Sequence, residues 1–119
     1  MSKIKELTAD IIEAIQDKKG KKISVIDLSG IDGAPAPEFI VCQGNSTSQV
    51  SAIADNIIEE LSKRRKVKPE HTDGYRNSQW IIVDYGSVMV HIFLPETREF
   101  YRLEELWTDA PTREIEDLD

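Results

Sequence analysis

Two apolar runs separated by Gly86 and Ser87 constrain this chain more than any other feature: Trp80-Ile81-Ile82-Val83-Asp84-Tyr85 and Val88-Met89-Val90-His91-Ile92-Phe93. A two-residue loop containing glycine predicts a tight hairpin. In that register Tyr85 faces Val88, Asp84 faces Met89, Val83 faces Val90, Ile82 faces His91, Ile81 faces Ile92 and Trp80 faces Phe93. Side chains alternate across a strand, so the hairpin has two unlike faces. One carries Ile81, Val83, Tyr85, Val88, Val90 and Ile92, a packing surface for helices. The other carries Trp80, Ile82, Asp84, Met89, His91 and Phe93, large apolar groups around one carboxylate and one imidazole.

The rest of the chain supplies the covering layers. Ile4, Leu7, Ile11 and Ile15 recur at helical spacing, with Ser2 as a candidate cap and Lys18, Lys19 and Gly20 as a stop. Residues 22–28 read as an inner strand, 29–37 as a loop with two glycines and two prolines, and 39–43 as a second strand. Ser46 and Gln49 fit a capping box ahead of the stripe Val50, Ile53, Ala54, Ile57, Ile58 and Leu61. Residues 67–72 suggest a short strand that Pro69 confines to an edge, and Pro95 stands just ahead of about one or two helical turns over 96–101. This order predicts an α/β fold: a single mixed sheet of about five strands with two long helices on one face. Nothing else in the chain is long enough to cover the other face fully, and an open apolar face implies a partner.

Charge and composition narrow the classes further. Of the formal −7, the segment 104–119 carries seven acids against Arg113 alone, so the acidity belongs to one end. Residues 1–108 are expected to form the domain and 109–119 an acidic, mobile C-terminal tail. No apolar run approaches the roughly 18 residues of a membrane span, and the N-terminus lacks the apolar core of a signal peptide. With Cys42 as the lone cysteine, these features predict a cytoplasmic protein without a membrane partner.

Candidate chemistry is sparse. Asp84 and His91 are diagonal neighbours on the hairpin, open to three readings: a catalytic acid and base, polar anchors in an interface, or a pair that satisfy each other. The turn Gly44-Asn45-Ser46 could hold a phosphate at a helix N-terminus or simply cap it, and it lacks the lysine of a P-loop. The run Lys63-Arg64-Arg65-Lys66 could touch RNA phosphates or finish a helix as a solvated end. His71, His91 and Cys42 share no ligand spacing, so no metal or other cofactor is expected.

Three runs carry a resemblance: Trp80-Ile81-Ile82-Val83-Asp84-Tyr85-Gly86, Val88-Met89-Val90-His91-Ile92-Phe93, and Arg98-Glu99-Phe100-Tyr101-Arg102-Leu103-Glu104-Glu105-Leu106-Trp107. Together with Gly44-Asn45-Ser46-Thr47-Ser48-Gln49-Val50 upstream, they resemble the Iojap-related ribosomal silencing factors over about residues 3–110. The resemblance implies a nucleotidyltransferase-like α/β domain without transfer activity. It also implies binding to the large ribosomal subunit at its fourteenth protein, which would block joining of the small subunit and repress translation under nutrient limitation. No sequence-specific nucleic-acid binding is expected, and a homodimer through the same face is plausible within such a family. The residues agree on the absence of transfer chemistry, because two-metal transfer needs paired carboxylates and Asp84 is followed by Tyr85 and Gly86. The expected partner-binding set is Trp80, Asp84, Met89, His91, Phe93 and Tyr101, with Arg98 and Glu99 at the rim. The alternative is a nucleotide-binding enzyme that uses Asp84 and His91.

Overall fold

The computed structural model describes residues 3–118. Its hairpin, β4 (Trp80–Asp84) and β5 (Val88–Phe93), takes the register that the two-residue loop dictates, with Trp80 opposite Phe93, Ile82 opposite His91 and Asp84 opposite Met89. The Tyr85 amide donates to the Val88 carbonyl at 2.9 Å. Gly86 stands at φ 84°, the positive value that the first central residue of a type II′ turn requires.

Before the hairpin come α1 (Lys3–Asp17), β1 (Lys21–Asp27), β2 (Glu38–Gln43), α2 (Thr47–Arg65) and β3 (His71–Asp73). After it come α3 (Pro95–Tyr101), a 3-10 turn (Leu103–Trp107) and β6 (Thr112–Ile115). The strands form one sheet in the order β3-β4-β5-β2-β1-β6. Neighbours β2 and β5 run parallel, joined through the α2 crossover, and the other neighbours run antiparallel.

The α/β fold with a mixed sheet is as expected, but the sheet has six strands rather than about five. The sixth lies inside the segment expected to be a mobile tail. Thr112–Ile115 pairs with β1, placing Ile115 opposite Ile23 and Arg113 opposite Val25. An edge strand can be held by main-chain hydrogen bonds with little apolar content. Here Ile115 alone packs against the main core, which is why the acidic composition concealed it.

The two long helices cover one face of the sheet. Val50, Ile53, Ala54, Ile57 and Leu61 of α2 and Leu7, Ile11, Ala14 and Ile15 of α1 are buried against Ile23, Ile40, Ile81, Val83, Val90 and Ile92. Full burial of each large aliphatic side chain contributes about 1.5–3 kcal/mol, which makes this layer the main source of stability. Ser46 caps α2, its hydroxyl accepting from the Gln49 amide at 3.0 Å. Gln49 reaches back to the Asn45 amide at 2.7 Å and donates to the carbonyls of Lys18 and Lys19 at 3.1 Å each, so the cap also ties down the end of α1. Gly20 lets the chain turn back there, because a Cβ at that position would lie 2.4 Å from Ile15 Cγ2. Ser2, the candidate cap of α1, lies outside the described residues.

The basic run is exposed at the end of α2, as a solvated helix end should be, and two of its members also tie the helices together. Arg64 pairs with Glu13, Asp10 and Glu60, and Arg65 pairs with Asp10 and Glu6, so it clips the end of α2 to α1. Lys66 closes α2 in the left-handed conformation, its amide donating to the Ser62 carbonyl at 3.1 Å and the next amide, of Val67, to the Leu61 carbonyl at 3.4 Å.

Candidate functional site

The opposite face of the sheet is closed by a different device. Beyond β5 the chain crosses that face as α3 and the 3-10 turn, then enters the far edge as β6. Beneath this strap, Ile26, Leu28, Ala36, Phe39, Val41, Phe93 and Ala110 form a second, smaller core, with Trp80, Met89, Leu103 and Trp107 packed half-buried against it. The face expected to be wholly or partly open is therefore open in part.

Rings dominate the contacts. Trp80 stacks on Phe93 with centroids 4.8 Å apart and meets Tyr101 at 5.1 Å. Phe39 lies between His91 at 4.5 Å and the edge of Trp107 at 6.0 Å. Offset and edge-on packing of this kind adds to plain burial. Outside the stack, the strap presents Phe100, Tyr101 and Leu106 to solvent, at 79%, 55% and 71% exposure. Tyr101, Trp80 and Tyr75 also line a shallow groove of about 490 Å³ between α3 and the loop before β4.

The residues singled out in the sequence divide into three groups. Trp80, Asp84 and Met89 are half-buried on the expected face, and Glu99 and Tyr101 are exposed on the strap beside it. His91 and Phe93 are on that face but 3% and 0% exposed, so they support the surface from below and touch nothing outside the domain. Arg98, expected at the rim, is largely shielded, at 12% side-chain exposure. Its guanidinium donates to Glu104 Oε2 at 3.0 and 2.6 Å, to the Lys22 carbonyl at 2.8 Å and to Gln43 Oε1 at 3.2 Å. Sequence reasoning missed Phe100 and Leu106 because the elements that carry them are too short to show which side faces out: the helix with Phe100 has only seven residues and none of them is buried.

No acid–base pair forms. The Asp84 carboxylate accepts from the Gly86 amide at 2.8 Å and so shapes the hairpin turn. His91 Nδ1 accepts from the Trp80 indole N–H at 3.1 Å, which leaves the proton on Nε2, and that atom is buried without a partner. Burial lowers the His91 pKa to about 4, so the imidazole is neutral and behaves as a polar member of an aromatic stack. The Cys42 thiol is fully buried, and desolvation raises its pKa to about 12, which leaves it inert. At the turn, the Gly44 amide donates to the Phe93 carbonyl and the Asn45 amide to Gln49 Oε1, while the Ser46 hydroxyl caps α2. Among the described residues no group of three or more His, Cys, Asp or Glu could hold a metal ion. In the described residues no helix is long and apolar enough to cross a membrane.

Comparison with known proteins supplies what this geometry lacks. A family model described as "Ribosomal silencing factor during starvation" matches residues 1–119. The ribosomal silencing factor RsfS of Halalkalibacterium halodurans is 36% identical over 111 residues, covering 93% of this chain and 93% of that protein. A mouse protein named mitochondrial assembly of ribosomal large subunit protein 1 is 36% identical over 73 residues, covering 59% of this chain but only 32% of its own length. A crystal structure of a Chromobacterium violaceum protein superposes with a TM-score of 0.83 at 35% identity, covering 89% of this chain and 87% of that one.

Proposed function

This chain belongs to the ribosomal silencing factors, a family of non-enzymatic ribosome-binding proteins, and from that premise we propose that it docks on the large ribosomal subunit through the strap-covered face of its sheet. The occupied surface is the fourteenth protein of that subunit, on the side that the small subunit approaches. Bound there, a domain with principal extents of 35 × 34 × 28 Å excludes the small subunit by volume alone, and translation falls when nutrients are short. A relative named for assembly of the ribosomal large subunit supports the choice of subunit.

One observation carries the choice of surface: Phe100, Tyr101 and Leu106 stand exposed beside half-buried Trp80 and Met89. Exposed aromatics beside a rigid stack have the character of binding hot spots. Asp84, at the far end of β4, and Glu96, Glu99 and Glu105 on the strap place acid around them, which suits a basic partner surface and would orient it. No chemical step is involved. Against the nucleotide-enzyme alternative, Asp84 shapes the hairpin turn while His91 is buried with Nδ1 taken by the Trp80 indole, so the two do not form an acid–base pair.

The test is joining of purified small and large subunits, followed by light scattering. Added protein is expected to lower the amplitude in a saturable way, and Trp80→Ala is expected to lose this effect while remaining folded. Undiminished joining at saturating protein would refute the proposal. The same apolar plate would also be covered in a homodimer, so mass measured across concentrations should show self-association that large subunits compete away.

A further inference from the structure

We infer that Arg98 and the main chain of Lys22 form a clasp that sets the docking plate in place, so that Arg98 is a positioning residue and not a partner contact. The inference rests on the proposed docking face and identifies what holds that face in register. The strand β1 is irregular between Lys21 and Ser24, where its register with β2 shifts. Lys22 occupies this bulge at φ 53°, in the left-handed region. A bulge residue leaves the ladder, which frees both of its main-chain groups for other partners. Its carbonyl accepts from Arg98 of α3 at 2.8 Å, and its amide donates to the Asp117 carboxylate at 2.7 Å, just beyond β6. Both ends of the strap are thus fastened to one residue.

The Arg98 fork explains why arginine is needed. Nε and Nη2 hold Glu104 at the start of the 3-10 turn, while Nη1 holds Lys22 and Gln43 on the sheet. A single planar group therefore links α3, the 3-10 turn, β1 and β2, and it is well shielded, at 12% side-chain exposure. A lysine offers one point charge and cannot span these positions. Phe100 and Tyr101 follow Arg98 directly, and Leu106 lies two residues beyond Glu104. Displacing the fork displaces all three.

Four variants, Arg98→Gln, Arg98→Lys, Lys22→Gly and Lys22→Val, separate positioning from contact. Affinity for purified large subunits and amide hydrogen exchange would be measured on each full-length protein. Arg98→Gln and Arg98→Lys are expected to bind about tenfold more weakly, with exchange at amides 99–107 faster by about the same factor and that of β4 and β5 unchanged. Lys22→Gly keeps the left-handed bulge and should bind within about twofold of wild type. Lys22→Val, with a β-branched residue where φ is positive, should behave like Arg98→Gln.

The clasp is wrong if Arg98→Gln binds as wild type does. It is also wrong if binding weakens while exchange at 99–107 stays the same, since Arg98 would then be a direct contact, or if Lys22→Gly binds as poorly as Lys22→Val. If wild-type protein does not bind large subunits, the docking reading fails, and exchange in the four variants still decides the clasp.

Discussion

The two faces of the sheet are closed in different ways. On one, α1 and α2 lay two long apolar stripes on the strands, and Ile11, Ile53, Ile57, Ile81 and Ile92 reach zero exposure. On the other, a seven-residue helix and a 3-10 turn contain no buried residue of their own. They are held by Arg98, by ring contacts and by an edge strand. The first face spends its apolar surface on stability, whereas the second keeps Phe100, Tyr101 and Leu106 outside. A domain can therefore be stable and still offer a greasy surface, provided that the two tasks fall on opposite sides of one sheet.

Substitutions should break this comparison in a graded way. Ile53→Ala, on the finished face, is expected to cost about 2–5 kcal/mol in denaturant unfolding, while leaving the affinity of the folded fraction for large subunits unchanged. A comparable loss from Leu106→Ala would contradict the division, since an exposed position away from the core should stay within about 0.5 kcal/mol.

Acid sharpens the contrast from the other side. His91 is buried under the strap with its pKa lowered to about 4, from an ordinary value of 6.5. The unfolded chain therefore takes up the proton first. The stability linked to His91 is fully present above about pH 6.5 and falls as pH drops toward 4, by on the order of 2–3 kcal/mol. Unfolding compared across pH 4–7 should show wild type losing stability relative to His91→Phe as the pH falls. A parallel dependence for the two proteins would mean that the imidazole is more open to water than the structure implies.

The smallest effect belongs to the helix face alone. Ser46→Ala removes the cap of α2 and should cost about 1 kcal/mol. Gln49 still ties Asn45 to the end of α1, and Tyr101 is on the other side of the sheet, so subunit binding should not change. A loss of binding here would mean that the faces are mechanically coupled.

How much of this was legible in the sequence follows from where the signal resides. The hairpin register was fully readable because a two-residue loop at Gly86 and Ser87 leaves one consistent pairing of the runs on either side. The α2 stripe and its Ser46 cap were equally plain. The family resemblance correctly pointed to a non-enzymatic ribosomal silencing factor. The strap was not readable in the same way. Its parts are too short for periodicity, β6 holds a single partly buried apolar residue, and the left-handed bulge at Lys22 has no glycine to announce it. Arg98 looked like a surface charge because the carbonyl it binds is 76 positions away in sequence. Phe93 and His91 looked exposed because only the folded strap shows what covers them, whereas Trp80, Met89, Asp84, Glu99 and Tyr101 lie where the alternation and the strap sequence placed them, open in whole or part to solvent.

The most direct test of the account is the dissociation constant of Tyr101→Ala for purified large subunits, measured beside its melting curve. Truncating an exposed ring at the centre of the plate should weaken binding by about a hundredfold and leave the melting curve almost unmoved. Wild-type affinity in the folded variant would contradict the claim that this half-closed face is where the ribosome is held.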